Sequence, residues 1–88
     1  MKLTIGMSTY DDFCGTWFTV QNIRINQPIE DTEIIVVDNN PGGNHGRVLK
    51  EHSFGCKYRY EPFTGKTGTS ARNEIFNLAR GDYVVVLD

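Results

Sequence analysis

The chain has 88 residues, enough for one domain at most, and a domain of this size buries only about 60% of the surface its unfolded chain exposes. Its composition, 39% hydrophobic and 23% charged, is that of a soluble globular protein, and a net charge of −2 gives no electrostatic footprint for nucleic acid or an anionic membrane. No apolar run approaches the roughly 20 residues that span a bilayer, and Met1-Lys2-Leu3 leads into a strand pattern without the apolar core of a signal peptide.

Alternation of Leu3, Ile5 and Met7 with Thr4, Gly6 and Ser8 predicts a first strand over Lys2 to Tyr10. Asp11 and Asp12 then offer N-cap oxygens to a helix from about Phe13 to Asn26. Phe13, Trp17, Val20 and Arg24 fall on one face of that helix, Phe18 and Ile25 widen its apolar stripe, and Gln27-Pro28 stops it. The β-branched run Thr32 to Asp38 reads as a strand buried on both faces. The turn cluster from Asn39 to Asn44 leads into a short helix over Gly46 to His52, with Val48 and Leu49 facing inward. Lys57 to Glu61 alternates as a third strand. Pro62 to Gly68 is a loop, and Thr69 or Ser70 caps a third helix reaching Arg80 on an apolar face of Ala71, Ile75, Leu78 and Ala79. Gly81 occupies the usual place just past a helix end, and Tyr83 to Asp88 is the fourth strand.

Strands and helices thus alternate, which argues an α/β layer fold with a mainly parallel sheet. Right-handed crossovers in strand order 3-2-1-4 bring three strand ends to one rim: Ser8-Thr9-Tyr10-Asp11, Asp38-Asn39-Asn40 and Asp88. Carboxylates, hydroxyls and an aromatic ring at one rim suit a metal–nucleotide pocket, with Mg²⁺ or Mn²⁺ as the hard cation. Tyr10 offers a face to a base. Each carboxylate also has a plain alternative: Asp11 or Asp12 as a helix cap, Asp38 as a turn residue, Asp88 as a strand end. Trp17 and Phe18 read as core residues, and neither His45 nor His52 is assigned a metal. Cys14 and Cys56 lack zinc or redox spacing and read as free, partly buried thiols of a reducing compartment, hence a cytoplasmic protein.

Gly65-Lys66-Thr67 does not complete a phosphate loop, because the first glycine of that motif would fall at Tyr60, inside a strand. A Gly/Thr/Ser loop with Lys66 entering a helix N-terminus can still hold an anion. Arg72 falls in the first turn of that helix, where the dipole disfavours a cation, so it serves either the rim and a diphosphate or a salt bridge to Glu74 or Asp38.

Four segments in order carry a family resemblance. Thr4 to Asp11 resembles the opening strand and Pro-Thr-Tyr-Asn turn of family 2 glycosyltransferases with the GT-A fold. Glu33 to Asn39 is similar to their second strand and its aspartate, Gly68 to Asn73 to their Gly-x-x-x-Ala-Arg-Asn helix start, and Gly81 to Asp88 to the strand entering their Asp-x-Asp motif. The resemblance covers nearly the whole chain and implies a partial GT-A, Rossmann-like three-layer α/β/α fold, with residues 1–88 as the nucleotide-binding half of a glycosyltransferase domain. By that resemblance Thr9, Tyr10 and Asp11 line the base and ribose pocket, and Asp38 accepts from the base, commonly uracil. Arg72 supports the nucleotide, and Asp88 opens the metal motif that binds Mn²⁺ or Mg²⁺. Ser8 stands where proline is usual and Asp11 where asparagine is usual, which alters the loop path.

The sequence therefore predicts the donor-binding portion of a metal-dependent enzyme that transfers a sugar from a nucleotide sugar, with uridine diphosphate as the carrier. The alternative is a non-catalytic nucleotide-binding or self-associating α/β module. A receiver-like signalling domain is disfavoured, since its phospho-acceptor would follow the third strand, where Glu61-Pro62 stands. A dinucleotide dehydrogenase is disfavoured because no G-x-G-x-x-G follows the first strand. Asp88 ends a strand with nothing after it, which reads as a fragment inactive on its own. Its uncovered residues Val84 to Leu87 would drive homo-oligomer formation.

Overall fold

A computed structural model describes residues 3–10, 12–26, 30–51, 58–63 and 68–87, the side chains of 68–71 excepted. Seven elements alternate along the chain: β1 (Leu3–Thr9), α1 (Phe13–Asn26), β2 (Thr32–Asp38), α2 (Asn44–Glu51), β3 (Tyr58–Pro62), α3 (Gly68–Leu78) and β4 (Tyr83–Leu87). The strands form one parallel sheet in the order β3-β2-β1-β4, as the alternation of elements implied. Thr9 pairs with Asp38, Asp38 with Pro62, and Met7 with Leu87, so the strands reach a common carboxyl edge.

Every residue of β2 is buried. Ile34 and Val36 face a core of Ile5, Met7, Val20, Ile23 and Leu49, whereas Ile35 and Val37 meet Ile75 with Val84 and Val86 packed beside them. Helices α1 and α2 thus cover one face and α3 the other, giving three layers. The same geometry explains β1. Its alternation divides not inside from outside but one covered face from the other, since Gly6 lies against Ile75 while Ile5 and Met7 belong to the opposite core.

Helix α1 has the predicted bounds, but its buried stripe differs. Thr16, Val20 and Ile23 are buried with Phe13 and Trp17 packed beside the core, whereas Phe18 and Ile25 are 67% and 79% exposed. Apolar residues circle this helix, and a single sheet can cover only one side of it. Phe18 keeps an aromatic neighbour nonetheless, its ring lying edge-on to Trp17 with centroids 5.1 Å apart. Val48 of α2 is likewise exposed rather than inward; Gly46 and Leu49, three residues apart, take the buried side. Cys14 is a free thiol on the exposed side of α1, not a partly buried one.

Helix α3 begins at Gly68, so Arg72 is its fifth residue, past the first turn where a cation is least favourable. The helix ends at Leu78, and Gly81 is not its left-handed cap. A Cβ there would stand 2.6 Å from the Thr4 nitrogen and 2.7 Å from the Leu3 carbonyl carbon. Glycine is required because the chain entering β4 passes against the β1 backbone. Strand β4 is covered unevenly: Val84 and Val86 join the α3 core, while on the α1 side Leu87 packs against the core but Tyr83 is exposed and Val85 is 44% exposed. An apolar groove of about 440 Å³, lined by Leu3, Ile5, Ile23, Val85 and Leu87, runs there between α1 and β4.

Candidate functional site

Strand order places a switch point between β1 and β4, because the chain leaves β1 toward β2 on one side and returns as β4 on the other. Crevices outside the carboxyl ends of strands at such points are where open α/β sheets take ligands. A cleft of about 270 Å³ opens there, lined by Ser8, Thr9, Tyr10, Asp12, Thr16 and Leu87 among others. Tyr10 is 67% exposed, leaving its ring a free face.

The turn from β1 into α1 is built from hydroxyls and one carboxylate. Asp12 Oδ1 accepts the Gly15 N–H at 2.8 Å, so Asp12 is the helix cap, and a Cβ on Gly15 would collide with that carboxylate. The Thr16 hydroxyl donates to the Asp12 carbonyl at 2.8 Å and lies 3.2 Å from the Thr9 hydroxyl. His45 of α2 completes the turn, its Nδ1 accepting the Phe13 N–H at 3.2 Å. A residue assigned no role from sequence thus meets a second unsatisfied donor of the α1 N-terminus.

At the end of β2, Asp38 is fully buried. Its Oδ1 accepts the Asn40 N–H at 2.9 Å and its Oδ2 the Tyr60 hydroxyl at 2.7 Å. The first turn of α2 closes over it: a Cβ on Gly46 would lie 2.7 Å from Oδ2 and 2.8 Å from the Pro41 carbonyl. Burial, and then the hydrogen bond to and negative charge of Asp38, push the Tyr60 phenol well above the ordinary tyrosine range. Backbone bonds continue the ladder beyond the strands, Asn39 N–H donating to Thr9 O and Phe63 N–H to Asp38 O, each at 2.8 Å. Asn39 Oδ1 is buried and has no hydrogen-bond partner among the described residues.

Of the residues singled out from sequence, Thr9 and Asp38 are register partners and Tyr10 stands beside them on the rim. The expectation that Asp38 accepts from a base meets a side chain with no exposed surface and a protein donor on each oxygen. Arg72 is exposed on α3. Asp11, Lys66 and Asp88 lie outside the described residues, as do His52 and Cys56. Among the described residues no three carboxylate, imidazole or thiolate side chains converge on a metal position. Sequence reading missed Tyr60 and Gly46. Tyr60 has a signal in the alternation of Tyr58, Arg59 and Tyr60, which puts both tyrosines on one face; Gly46 has none, because its role is set by what passes beside it.

Solved structures with this fold include S. aureus TarS, residues 1–349, at 18% identity and a TM-score of 0.77, covering all of this chain and 27% of that one. Another structure of S. aureus TarS aligns at 18% identity and a TM-score of 0.74, again over all of this chain and over 16% of that one. The chain thus spans about a quarter or less of the length of the solved proteins it matches. A search of curated protein sequences gave no match. The sequence profile of Glycosyl transferase family 2 matches residues 4–88, nearly the entire chain and all four strands of the sheet, and the protein belongs to that family.

Proposed function

We propose that this chain is the donor-binding part of a glycosyltransferase and that its cleft takes the nucleoside diphosphate of a nucleotide sugar, with uridine as the nucleoside. The observation that carries the reading is the position of the cleft at the β1/β4 switch point, edged by the Ser8 and Thr9 hydroxyls and the exposed Tyr10 ring. In this reading Tyr10 stacks on the base and Thr9 meets the ribose. Asn39 adds an acceptor at the same edge that is unpaired among the described residues. In the same reading Asp11 serves the base and ribose, and Arg72 and Lys66 serve the diphosphate. We take Asp88 as the Mg²⁺ or Mn²⁺ ligand, and the enzyme as cytoplasmic. The isolated chain binds nucleotide weakly and transfers no sugar.

Calorimetric titration with uridine, cytidine and adenosine diphosphates tests this. Uridine diphosphate should bind best, and Tyr10→Ala should weaken it about tenfold, the scale of one lost base stack. Equal binding of all three, or of inorganic diphosphate alone, would remove the base from the cleft.

A second reading rests on β4. Tyr83 and Val85 are exposed large side chains on an edge strand. Such an edge is a template for another chain. We propose that the isolated protein self-associates there. Light scattering should report an oligomer that Val85→Lys disperses; a stable monomer at tens of micromolar, judged against interface scales of about 1,600 Å², would end this reading.

A further inference from the structure

The turn that carries Tyr10 is held at both ends by the next strand–helix unit. Before it, the Asn39 N–H donates to the Thr9 carbonyl at 2.8 Å. After it, the Phe13 N–H donates to His45 Nδ1 at 3.2 Å. Asn39 follows β2 and His45 is the second residue of α2, so the β2–α2 connection grips the β1–α1 connection on either side of Tyr10. The two grips differ in kind. The first joins backbone to backbone and depends on no side chain. The second is one imidazole, and its backbone is fixed from behind. Gly46 is buried where a Cβ would stand 2.7 Å from Asp38 Oδ2, and Leu49 is fully buried in the core. The His45 ring carries that fixed position to the start of α1. Asp12 does a different job: its Oδ1 accepts the Gly15 N–H at 2.8 Å, a contact inside a single turn of chain.

We propose that His45 is a positioning residue for nucleotide binding: through Nδ1 it sets the α1 N-terminus, and with it the Tyr10 ring, against the cleft. The inference rests on the nucleotide-binding reading above and deepens it. His45 does not line the cleft, so it acts through Phe13 and the turn. An imidazole nitrogen that accepts a hydrogen bond carries no proton, so the contact needs the neutral ring with its hydrogen on Nε2. What His45 positions is the surface that stacks on the base, so its loss should be felt by a nucleoside diphosphate and not by diphosphate alone.

The experiment compares His45→Ala, His45→Phe and His45→Asn by calorimetric titration with uridine diphosphate and with inorganic diphosphate, at a temperature where each variant is folded. Alanine removes the ring, phenylalanine keeps its bulk without the lone pair, and asparagine puts a carbonyl oxygen close to where Nδ1 stands. His45→Ala and His45→Phe should each weaken uridine diphosphate about fivefold, while His45→Asn should stay within about twofold of the parent protein. Affinity for inorganic diphosphate should be the same in all of them. Unchanged uridine diphosphate binding in His45→Ala would overturn the proposal, as would an equal loss in His45→Asn or a parallel loss of inorganic diphosphate. If uridine diphosphate does not bind the parent protein, the functional reading fails. The tether is then judged by amide hydrogen exchange without ligand: faster exchange of the Phe13 amide in His45→Ala, restored in His45→Asn, sustains it, and equal exchange in all overturns it.

Discussion

Strand β2 carries a buried carboxylate at each end, and the two ends of the sheet put them to different uses. Near the amino edge, Glu33 Oε2 accepts the Thr4 hydroxyl and the Arg80 N–H, both at 2.7 Å, and Oε1 lies 3.4 Å from Arg59 Nη2. Arg59 also donates to the Leu78 carbonyl, and Thr4 Oγ1 accepts the Gly81 N–H at 2.9 Å. Three strands, the end of α3 and the segment leading into β4 are thereby tied into one polar network. Near the carboxyl edge, Asp38 has two donors and no cation among the described residues, and the chain beyond it turns toward a cleft edged by hydroxyls. Both carboxylates are satisfied; only one of them borders space. The two ends differ in what lies next to the carboxylate: a polar network at one, an open, hydroxyl-lined rim at the other.

If the amino edge is a staple, the largest effect belongs to Glu33. Glu33→Ala should cost about 3 kcal/mol, because it leaves Arg59, the Thr4 hydroxyl and the Arg80 N–H without their acceptor. That predicts a melting point lower by at least about 10 °C in a domain of this size. Nucleotide affinity at a temperature where the variant is folded should hardly move. A loss below about 1 kcal/mol, as for an exposed pair, would erase the contrast between the two ends.

Asp12→Ala removes the α1 cap at the open end and should cost about 1 kcal/mol in urea unfolding. Here affinity for uridine diphosphate should fall as well, since the capped turn carries Thr9 and Tyr10. A stability loss with unchanged binding would detach the cap from the site.

Alkaline titration sharpens the comparison further. The folded Tyr60 phenol ionises above its unfolded value of about 10. Its contribution is then complete below about pH 10 and is lost as pH rises from there toward the folded value. Stability measured across that window should fall more steeply in the parent protein than in Tyr60→Phe. Parallel slopes would mean that the phenol is no better protected than a solvated one.

The smallest effects are expected on the outer face of α1. Phe18→Ser and Ile25→Gln should each change stability by no more than about 0.5 kcal/mol, whereas a core position would cost about 2–5 kcal/mol. A core-sized loss in either would restore the wide apolar stripe that the sequence implied.

Much of this is legible in one dimension because it depends on local pattern. The bounds of α1 and β2, the parallel sheet and its strand order follow from periodicity, caps and the rule for crossovers. Asp12 is readable as a cap because capping is a contact between residues three apart. Phe18, Ile25 and Val48 were misread for one reason: periodicity says that a face is apolar, not that anything lies against it. Asp38 was read by its type and place at a strand end, which could not foretell its hydrogen bond from Tyr60.

By itself, then, the sequence determined the order and type of the elements, the sheet topology and the edge at which polar residues gather, since each follows from short-range geometry and the handedness of the chain. Tertiary structure alone decided which polar groups remain available. Tyr60 reaches Asp38 across 22 positions, Arg80 reaches Glu33 across 47 and Gly81 reaches Thr4 across 77. A buried donor or acceptor is costly without a partner, so these distant pairings, which no local pattern encodes, decide which buried groups satisfy one another in the fold, while the Tyr10 end of the rim stays open to solvent.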